Sequence, residues 1–178
     1  MIAIALDPAA LPVGVAGRGM VALRRFRALR AGGAGNVLLF TDEAADVGAA
    51  LRPLPVRRGD LAVIRALWIA GLPDGEAAEL AALARSERVL VNVEDRPALC
   101  DFHSVAEVRR GDLLLTVSTG GASPGLAARI RARLAGEFGP EWADRLALLR
   151  GQRAAWRRDG RDLAAETDAL LQANGWLA

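Results

Sequence analysis

A glycine-rich turn near the start of the chain has the residue types and spacing that bind a dinucleotide. Residues 17–22 read Gly-Arg-Gly-Met-Val-Ala, between an apolar run at 13–16 and a helical segment that begins near residue 20. The glycines allow a tight turn and a close approach of a pyrophosphate to the backbone, and the helix N-terminus attracts the anion. The predicted contacts come from Gly17, Arg18, Gly19, Met20 and Val21. The alternative is a tight strand-to-helix connection that binds nothing.

An acidic pair follows the next predicted strand, at 37–40. Asp42 and Glu43 stand roughly 20 residues beyond the glycine turn, where an acid commonly binds the ribose hydroxyls. Because a carboxylate there repels a 2′-phosphate, Asp42 favours NAD over NADP as the cofactor.

The elements that must position these residues alternate between strand and helix. Strands are predicted at 2–6, 13–16, 37–40, 67–70 and 89–93, with a brief edge strand or extended link at 54–56. Helices are predicted near 20–30, 44–51 and 76–85. This alternation predicts right-handed βαβ crossovers, and therefore an α/β fold: a Rossmann-like domain with a mostly parallel sheet over residues 1–103.

The pattern changes after Asp95, where Arg96-Pro97 interrupts the alternation of strands and helices. Two strands, near 105–108 and 113–118, flank Arg109-Arg110-Gly111-Asp112 and predict a β-hairpin. A glycine loop then leads to Ser123-Pro124, which suit the N-cap and first position of a helix. Trp142 and Trp156 lie on one helical stripe and are predicted to be core. The hairpin and its helix are assigned to 104–138, and a helical C-terminal region to 139–178.

Composition excludes several classes of protein. All 23 positive residues are arginine, the net charge is only +2, and the 21 acids are interleaved with them, so nucleic-acid binding is not predicted. Without a lysine, a Walker P-loop cannot be built, and without tyrosine and lysine the pair used by short-chain dehydrogenases is also impossible. One histidine, His103, makes a poor metal site, so no protein metal site is predicted.

The expected location is the cytoplasm. Cys100 is the only cysteine, which fits a reducing compartment and excludes an intramolecular disulfide. The sequence has neither a basic leader nor an apolar run of about 20 residues, so no membrane association is expected.

Three blocks of sequence occur in an order that is typical of a known family. Val21-Ala22-Leu23-Arg24-Arg25 follows the glycine turn, residues 91–102 read Val-Asn-Val-Glu-Asp-Arg-Pro-Ala-Leu-Cys-Asp-Phe, and residues 118–124 read Ser-Thr-Gly-Gly-Ala-Ser-Pro. In type, order and spacing they resemble the precorrin-2 dehydrogenase and sirohydrochlorin ferrochelatase module of siroheme synthases. The resemblance spans about residues 2–134.

This resemblance implies an activity and a site. The family oxidises precorrin-2 to sirohydrochlorin with NAD, and its bifunctional members also insert Fe²⁺ to give siroheme. By the residue match, Asp95 is the active-site aspartate, and a carboxylate there could take the proton whose loss accompanies hydride transfer. A structural alternative for Asp95 is to cap the Arg96-Pro97 turn. Family members are typically homodimers, formed through the hairpin and the helix after it.

Candidate substrate contacts lie in the predicted hairpin turn and in the third block, at 118–124. The tetrapyrrole substrate carries carboxylates, which arginine can bind in bidentate fashion. The candidates are Arg109, Arg110, Ser118, Thr119, Gly120 and Ser123. For the arginines the alternative is a solvated turn, and for the hydroxyl residues it is helix capping.

The chain also departs from the family pattern. Where family members carry an Ala-Thr-Asp-type loop against the cofactor, this chain has Ala70-Gly71-Leu72-Pro73, so a hydroxyl contact is lost while Ala70 and Gly71 remain candidate cofactor contacts. Two other functions therefore stay open. One is a dinucleotide-binding dimer that has lost catalysis and acts as a regulatory module, and the other is a dehydrogenase for a different small substrate.

Overall fold

The computed structural model describes residues 2–43, 46–47 and 51–177. The chain divides after Ser104 into two compact units. No helix in the described part of the chain is both long enough and apolar enough to span a membrane.

The first unit is built on a parallel sheet of five strands. They are β1 (Val13–Gly17), β2 (Val37–Phe40), β3 (Leu51–Arg52), β4 (Ala66–Ala70) and β5 (Leu90–Val93). Their order is β3-β2-β1-β4-β5, with every pairing parallel. The carboxyl ends of β1, β2 and β4 are therefore neighbours, which is where ligands bind in open α/β sheets.

Helices cover both faces of this sheet. They are α1 (Gly19–Ala31), α2 (Arg58–Leu61) and α3 (Asp74–Ser86). Ala22 and Phe26 of α1 pack in one buried apolar cluster with Val15, whereas Ala77 and Leu80 of α3 belong to a second cluster. Alternate strand residues point to opposite faces, so the two helices lie on opposite sides. The predicted α/β Rossmann-like fold with a mostly parallel sheet is confirmed.

Some predicted elements of this unit were wrong. Residues 2–6 form no strand, and Ile2 and Ile4 are exposed, because the sheet begins at Val13 and leaves those residues without a partner strand. The edge strand lies at Leu51–Arg52, and residues 54–56 are a link, which was the other alternative predicted there; Pro53 and Pro55 on this segment cannot donate to a ladder. The short helix α2 was not predicted. Most of the helix predicted at 44–51 falls outside the described residues.

The second unit contains a hairpin and three helices. The hairpin joins β6 (Ala106–Arg110) to β7 (Leu113–Val117) in antiparallel register, and the helices are α4 (Pro124–Glu137), α5 (Trp142–Arg158) and α6 (Leu163–Ala173). The turn is only Gly111-Asp112, because Arg109 and Arg110 continue β6 and Arg110 pairs with Leu113. The predicted four-residue turn was therefore too long.

Aromatic side chains form the centre of the helical part of this unit. Trp142 and Trp156 are buried, as predicted. The centre of the Trp142 ring lies 5.2 Å from that of Phe138 and 6.4 Å from that of Trp176. The Arg145 guanidinium stacks over the rings of Trp142 and Trp176. These contacts attach the end of the chain to the start of α5.

Candidate functional site

Two turns interlock at the carboxyl ends of β1 and β4. Gly17 pairs with Ala70, and a Cβ placed on Gly17 would lie 1.7 Å from the Ala70 carbonyl oxygen. Gly71 has φ +69°, and a Cβ there would lie 2.3 Å from the Arg18 carbonyl oxygen. The Arg18 amide in turn donates to Ala70 O at 3.3 Å. Both turns therefore need glycine for close backbone packing.

The next glycine opens onto free space at the start of α1. Gly19 has φ +69°, and nothing lies within 4 Å of where its Cβ would be. Its amide donates to Glu43 Oε2 at 2.7 Å. A carboxylate oxygen thus already accepts from the first helical amide, which is the place of a phosphate oxygen in a dinucleotide site. The Arg18 side chain caps none of the α1 amides in the described part of the chain.

Arg18 links two acids across the mouth of this site. Its Nε donates to both carboxylate oxygens of Asp42, at 3.1 and 2.9 Å, and its Nη1 donates to Glu76 Oε2 at 2.8 Å. The hydrogen bond to Glu76, followed by the one to Asp42, raises the pKa of the Arg18 guanidinium above its ordinary value. Glu76, in the first turn of α3, was missed from the sequence because it lies 58 residues from Arg18.

A cavity of about 290 Å³ lies beside these charges. Its polar lining consists of Arg18, Asp42, Glu76 and Glu79. The apolar lining comes from two segments and consists of Leu54, Pro55, Val56, Leu72, Leu80 and Leu83. An apolar slot with acids at its rim suits a nucleoside, whose flat base needs apolar walls and whose sugar needs hydrogen-bond acceptors.

These features together fit a dinucleotide. Gly19 has open space beside its Cα at a helix N-terminus, where a phosphate oxygen could replace Glu43 Oε2 on the Gly19 amide. Asp42 follows β2, the usual position of the acid that binds a ribose, and the apolar slot is suited to a base. Residues 17–22 and 42 are thus brought together as the sequence suggested. Fold and site define the class of the protein as a dinucleotide-binding α/β protein of the Rossmann type.

Asp95 lies at the same edge of the sheet, just after β5. It is exposed, with φ +60°, a left-handed conformation that costs free energy in a residue other than glycine. Its side chain has no hydrogen-bond or ion-pair partner among the described residues, so it does not cap the Arg96-Pro97 turn there. The carboxylate is free to meet a ligand.

Contacts of Cys100 and Arg96 stabilise the turn that contains Asp95. Cys100 is half-buried, and its Sγ accepts from the Val93 amide at 3.2 Å and lies 3.3 Å from Val93 O. Arg96 donates to Leu72 O at 3.2 Å and pairs with Asp74. These contacts hold the strained backbone in place, which is the condition for such strain to persist.

Glu94 points to the α1 face of the sheet. Its Oε1 lies 3.8 Å from Arg25 Nη2, and its buried Oε2 has no partner within the described residues. Arg25 and the Trp68 indole both donate to Ser104 Oγ, at 3.3 and 3.1 Å. Glu94 is therefore held against α1, whereas Asp95 is exposed. His103 is exposed, and no group of three or more metal-binding side chains occurs in the described ranges.

The predicted substrate residues all lie in the second unit. Arg110 donates to Ala135 O and Phe138 O, at 3.1 and 2.8 Å, and so caps the C-terminus of α4, whereas Arg109 is exposed and pairs with Glu107. The Ser123 hydroxyl accepts from Leu126 N as the N-cap of α4.

The other loop hydroxyls also bond within the loop. Thr119 Oγ1 donates to Ser123 O at 3.0 Å and accepts from Ser123 N, and Ser118 Oγ accepts from the Gly120 amide. Gly120 and Gly121 both have positive φ. The loop is thus shaped by its own hydrogen bonds.

Comparison with known proteins gives the family. Residues 4–106 match the family described as "Putative NAD(P)-binding", and residues 110–137 match the family described as "Sirohaem biosynthesis protein central". The chain therefore belongs to the family of NAD(P)-binding domains found in siroheme synthases. The resemblance seen in the sequence blocks is confirmed.

Individual relatives agree with this assignment. The siroheme synthase of Methylococcus capsulatus is 37% identical over 131 residues, which cover 70% of this chain and 28% of that protein. The siroheme biosynthesis protein met8 of Schizosaccharomyces pombe is 38% identical over 64 residues, which cover 36% of this chain and 24% of that protein. The chain thus spans about a quarter of the length of these two relatives.

A solved structure shares the fold along nearly the whole chain. SirC, a precorrin-2 dehydrogenase, superposes with a TM-score of 0.73 at 21% identity, over 97% of this chain and 88% of that one.

Proposed function

We propose that this chain catalyses the NAD-dependent oxidation of precorrin-2 to sirohydrochlorin. The observation that carries the proposal is Asp95, an exposed carboxylate without a partner in the described part of the chain. It is held in a strained turn at the sheet edge that also carries the glycine turn. Siroheme synthase relatives and the SirC fold support the choice of substrate.

The chemistry divides between cofactor and chain. Bound NAD⁺ supplies the acceptor for a hydride, and the products are sirohydrochlorin, NADH and one proton. The glycine turn and the α1 amides orient the dinucleotide, with Asp42 toward the ribose. Asp95 accepts the proton that the macrocycle loses. Arg109 and the loop from Ser118 to Ser123 are proposed to receive the substrate carboxylates.

Replacing Asp95 tests this role. In Asp95→Asn and Asp95→Ala, loss of a general base should lower the turnover of precorrin-2 by about 10²- to 10⁴-fold. NAD⁺ binding, measured by calorimetry, should stay unchanged, since Asp95 lies outside the nucleotide slot. The matched control is Asp168→Asn, an exposed acid in α6, which should turn over normally. Normal oxidation by Asp95→Ala would remove the residue from the mechanism.

A specific observation favours the second candidate function, a catalytically inactive dinucleotide-binding module. The Glu43 carboxylate accepts a hydrogen bond from the first amide of α1, where a phosphate oxygen would bind, and the loop at Gly71 lacks the hydroxyl of the family pattern. Such a module would bind NAD⁺ yet leave precorrin-2 unchanged. Turnover of another small substrate with NAD⁺ would instead support the third possibility, a different dehydrogenase.

Insertion of Fe²⁺ into sirohydrochlorin is a separate activity that we propose for the same site. Two pyrrole protons must leave when the metal enters, and Asp95 is the exposed carboxylate available to relay them. Adding Fe²⁺ or Co²⁺ to sirohydrochlorin and following the absorption spectrum separates one activity from two. An unchanged spectrum would restrict the protein to the dehydrogenase step.

We also propose a homodimer that works in the cytoplasm. In the second unit, Leu126 and Ile130 of α4 are 50% and 38% exposed and lie one helical turn apart. Such an apolar pair on a helix matched by the siroheme central family is a natural contact for a second copy. The free thiol of Cys100 fits a reducing compartment.

A further inference from the structure

We infer that Arg18, Asp42 and Glu76 act together to select NAD over NADP, with Glu76 as a second acidic determinant. The inference rests on the dinucleotide site of the proposed function. It goes beyond that function because the acid after β2 is usually assigned the choice alone. In this chain the choice depends on how firmly Arg18 is held.

The geometry places one guanidinium between two carboxylates. Arg18 uses Nε for Asp42 and Nη1 for Glu76, so the two acids occupy different edges of the same group. All three side chains are partly exposed at the mouth of the cavity, where the ribose of a bound nucleotide would lie. Such charge-assisted pairs are the stronger kind of hydrogen bond.

The charges at this mouth disfavour a 2′-phosphate. One cation, Arg18, faces the two carboxylates that pair with it, Asp42 and Glu76, so this part of the mouth is negative overall. An arginine near the ribose is the usual partner of a 2′-phosphate, but Arg18 could serve only after giving up both acids. With one acid removed, the other still holds the guanidinium.

This arrangement predicts a non-additive response. In Asp42→Asn or Glu76→Gln, the ratio of Kd(NADP⁺) to Kd(NAD⁺) should fall by less than about tenfold, because the remaining acid still pairs with Arg18. In the double variant Arg18 is free for the 2′-phosphate, and the ratio should fall by about 100-fold or more. Both replacements keep the side-chain size while removing the charge, and both acids are about half exposed, so the fold should be retained.

Two control variants isolate the mechanism. Adding Arg18→Met to the double variant should abolish the gain for NADP⁺. Glu79→Gln removes an acid from the same lining that has no bond to Arg18 within the described residues, so it should change the ratio by less than about twofold. If Glu79→Gln gained as much affinity for NADP⁺ relative to NAD⁺ as Glu76→Gln, the selection would follow from overall negative charge alone, and the inference would be overturned.

Calorimetric titration with NAD⁺, NADP⁺, 5′-AMP and 2′,5′-ADP provides the measurement without any turnover. The double variant should gain affinity for 2′,5′-ADP relative to 5′-AMP while still binding NAD⁺, which also reports its fold. If the parent protein binds NAD⁺ and the double variant keeps the parent ratio, the inference fails and the dinucleotide site stands. If the parent binds neither dinucleotide, both fail.

Discussion

At the scale of single residues, backbone space decides which side chains the site can hold. Gly71 is the residue at which the chain departs from the family pattern, yet it sits in a left-handed conformation against the Arg18 carbonyl. A threonine there would bring its Cβ into that oxygen. The missing hydroxyl is therefore tied to how the two turns pack, and Arg18 is positioned by the same packing.

Replacing Gly71 should destabilise the first unit. Gly71→Ala combines a left-handed alanine, at about 1–2 kcal/mol, with a steric conflict of similar size. We expect a loss of at least about 2 kcal/mol in the free energy of unfolding, measured by urea denaturation, and weaker NAD⁺ binding. Gly71→Thr should be no better.

A matched control is available in α3. Gly75 is helical and has nothing within 4 Å of its Cβ position, so Gly75→Ala should stabilise the protein by about 0.5–1 kcal/mol. Equal destabilisation by both replacements would contradict the packing argument.

At the scale of elements, α4 has both of its ends fixed by residues that the sequence marked for the substrate. Ser123 caps its N-terminus, and Arg110 of β6 caps its C-terminus. Both residues therefore have a structural role, and an experiment must distinguish that role from a contact with the substrate.

Two replacements at Ser123 separate these roles. Ser123→Ala removes the cap and should cost about 1 kcal/mol of unfolding free energy. Ser123→Asp keeps a capping oxygen, so stability should be retained. If the substrate carboxylates approach this loop, the added negative charge should raise KM for precorrin-2 severalfold. An unchanged KM in Ser123→Asp would confine Ser123 to the cap.

At the scale of the whole molecule, the exposed pair on α4 concerns assembly. Leu126 and Ile130 present an apolar surface, while Leu148 of α5 is similarly exposed, at 45%, on another helix. A surface used between copies should be sensitive to charge, and one facing solvent should not.

Charged replacements test the homodimer. Leu126→Glu combined with Ile130→Glu should give a monomer in light scattering after size-exclusion chromatography, because burying two unpaired carboxylates is costly. Leu148→Glu should leave the parent mass. A dimer that survives the double replacement would place the interface elsewhere, and a monomeric parent protein would remove the proposal.

Much of the fold could be predicted because its signals are local. Residues close together in the sequence determine the strand at 37–40, the helix after the glycine turn, the hairpin and the Ser123 cap. The wrong strand at 2–6 had the local pattern but no neighbour in the sheet. A strand is stabilised by its partner strands, and alternation alone does not supply one.

By itself, the sequence determined the class of the protein, its family and which residues to suspect, since glycine spacing and block order are properties of the chain. Only the tertiary structure decided how those residues meet. The Arg18 link to Glu76 and the fit of Gly71 against Arg18 both depend on strands brought together across the sheet. Contacts between residues far apart in the chain leave no local pattern, so spacing could not reveal them.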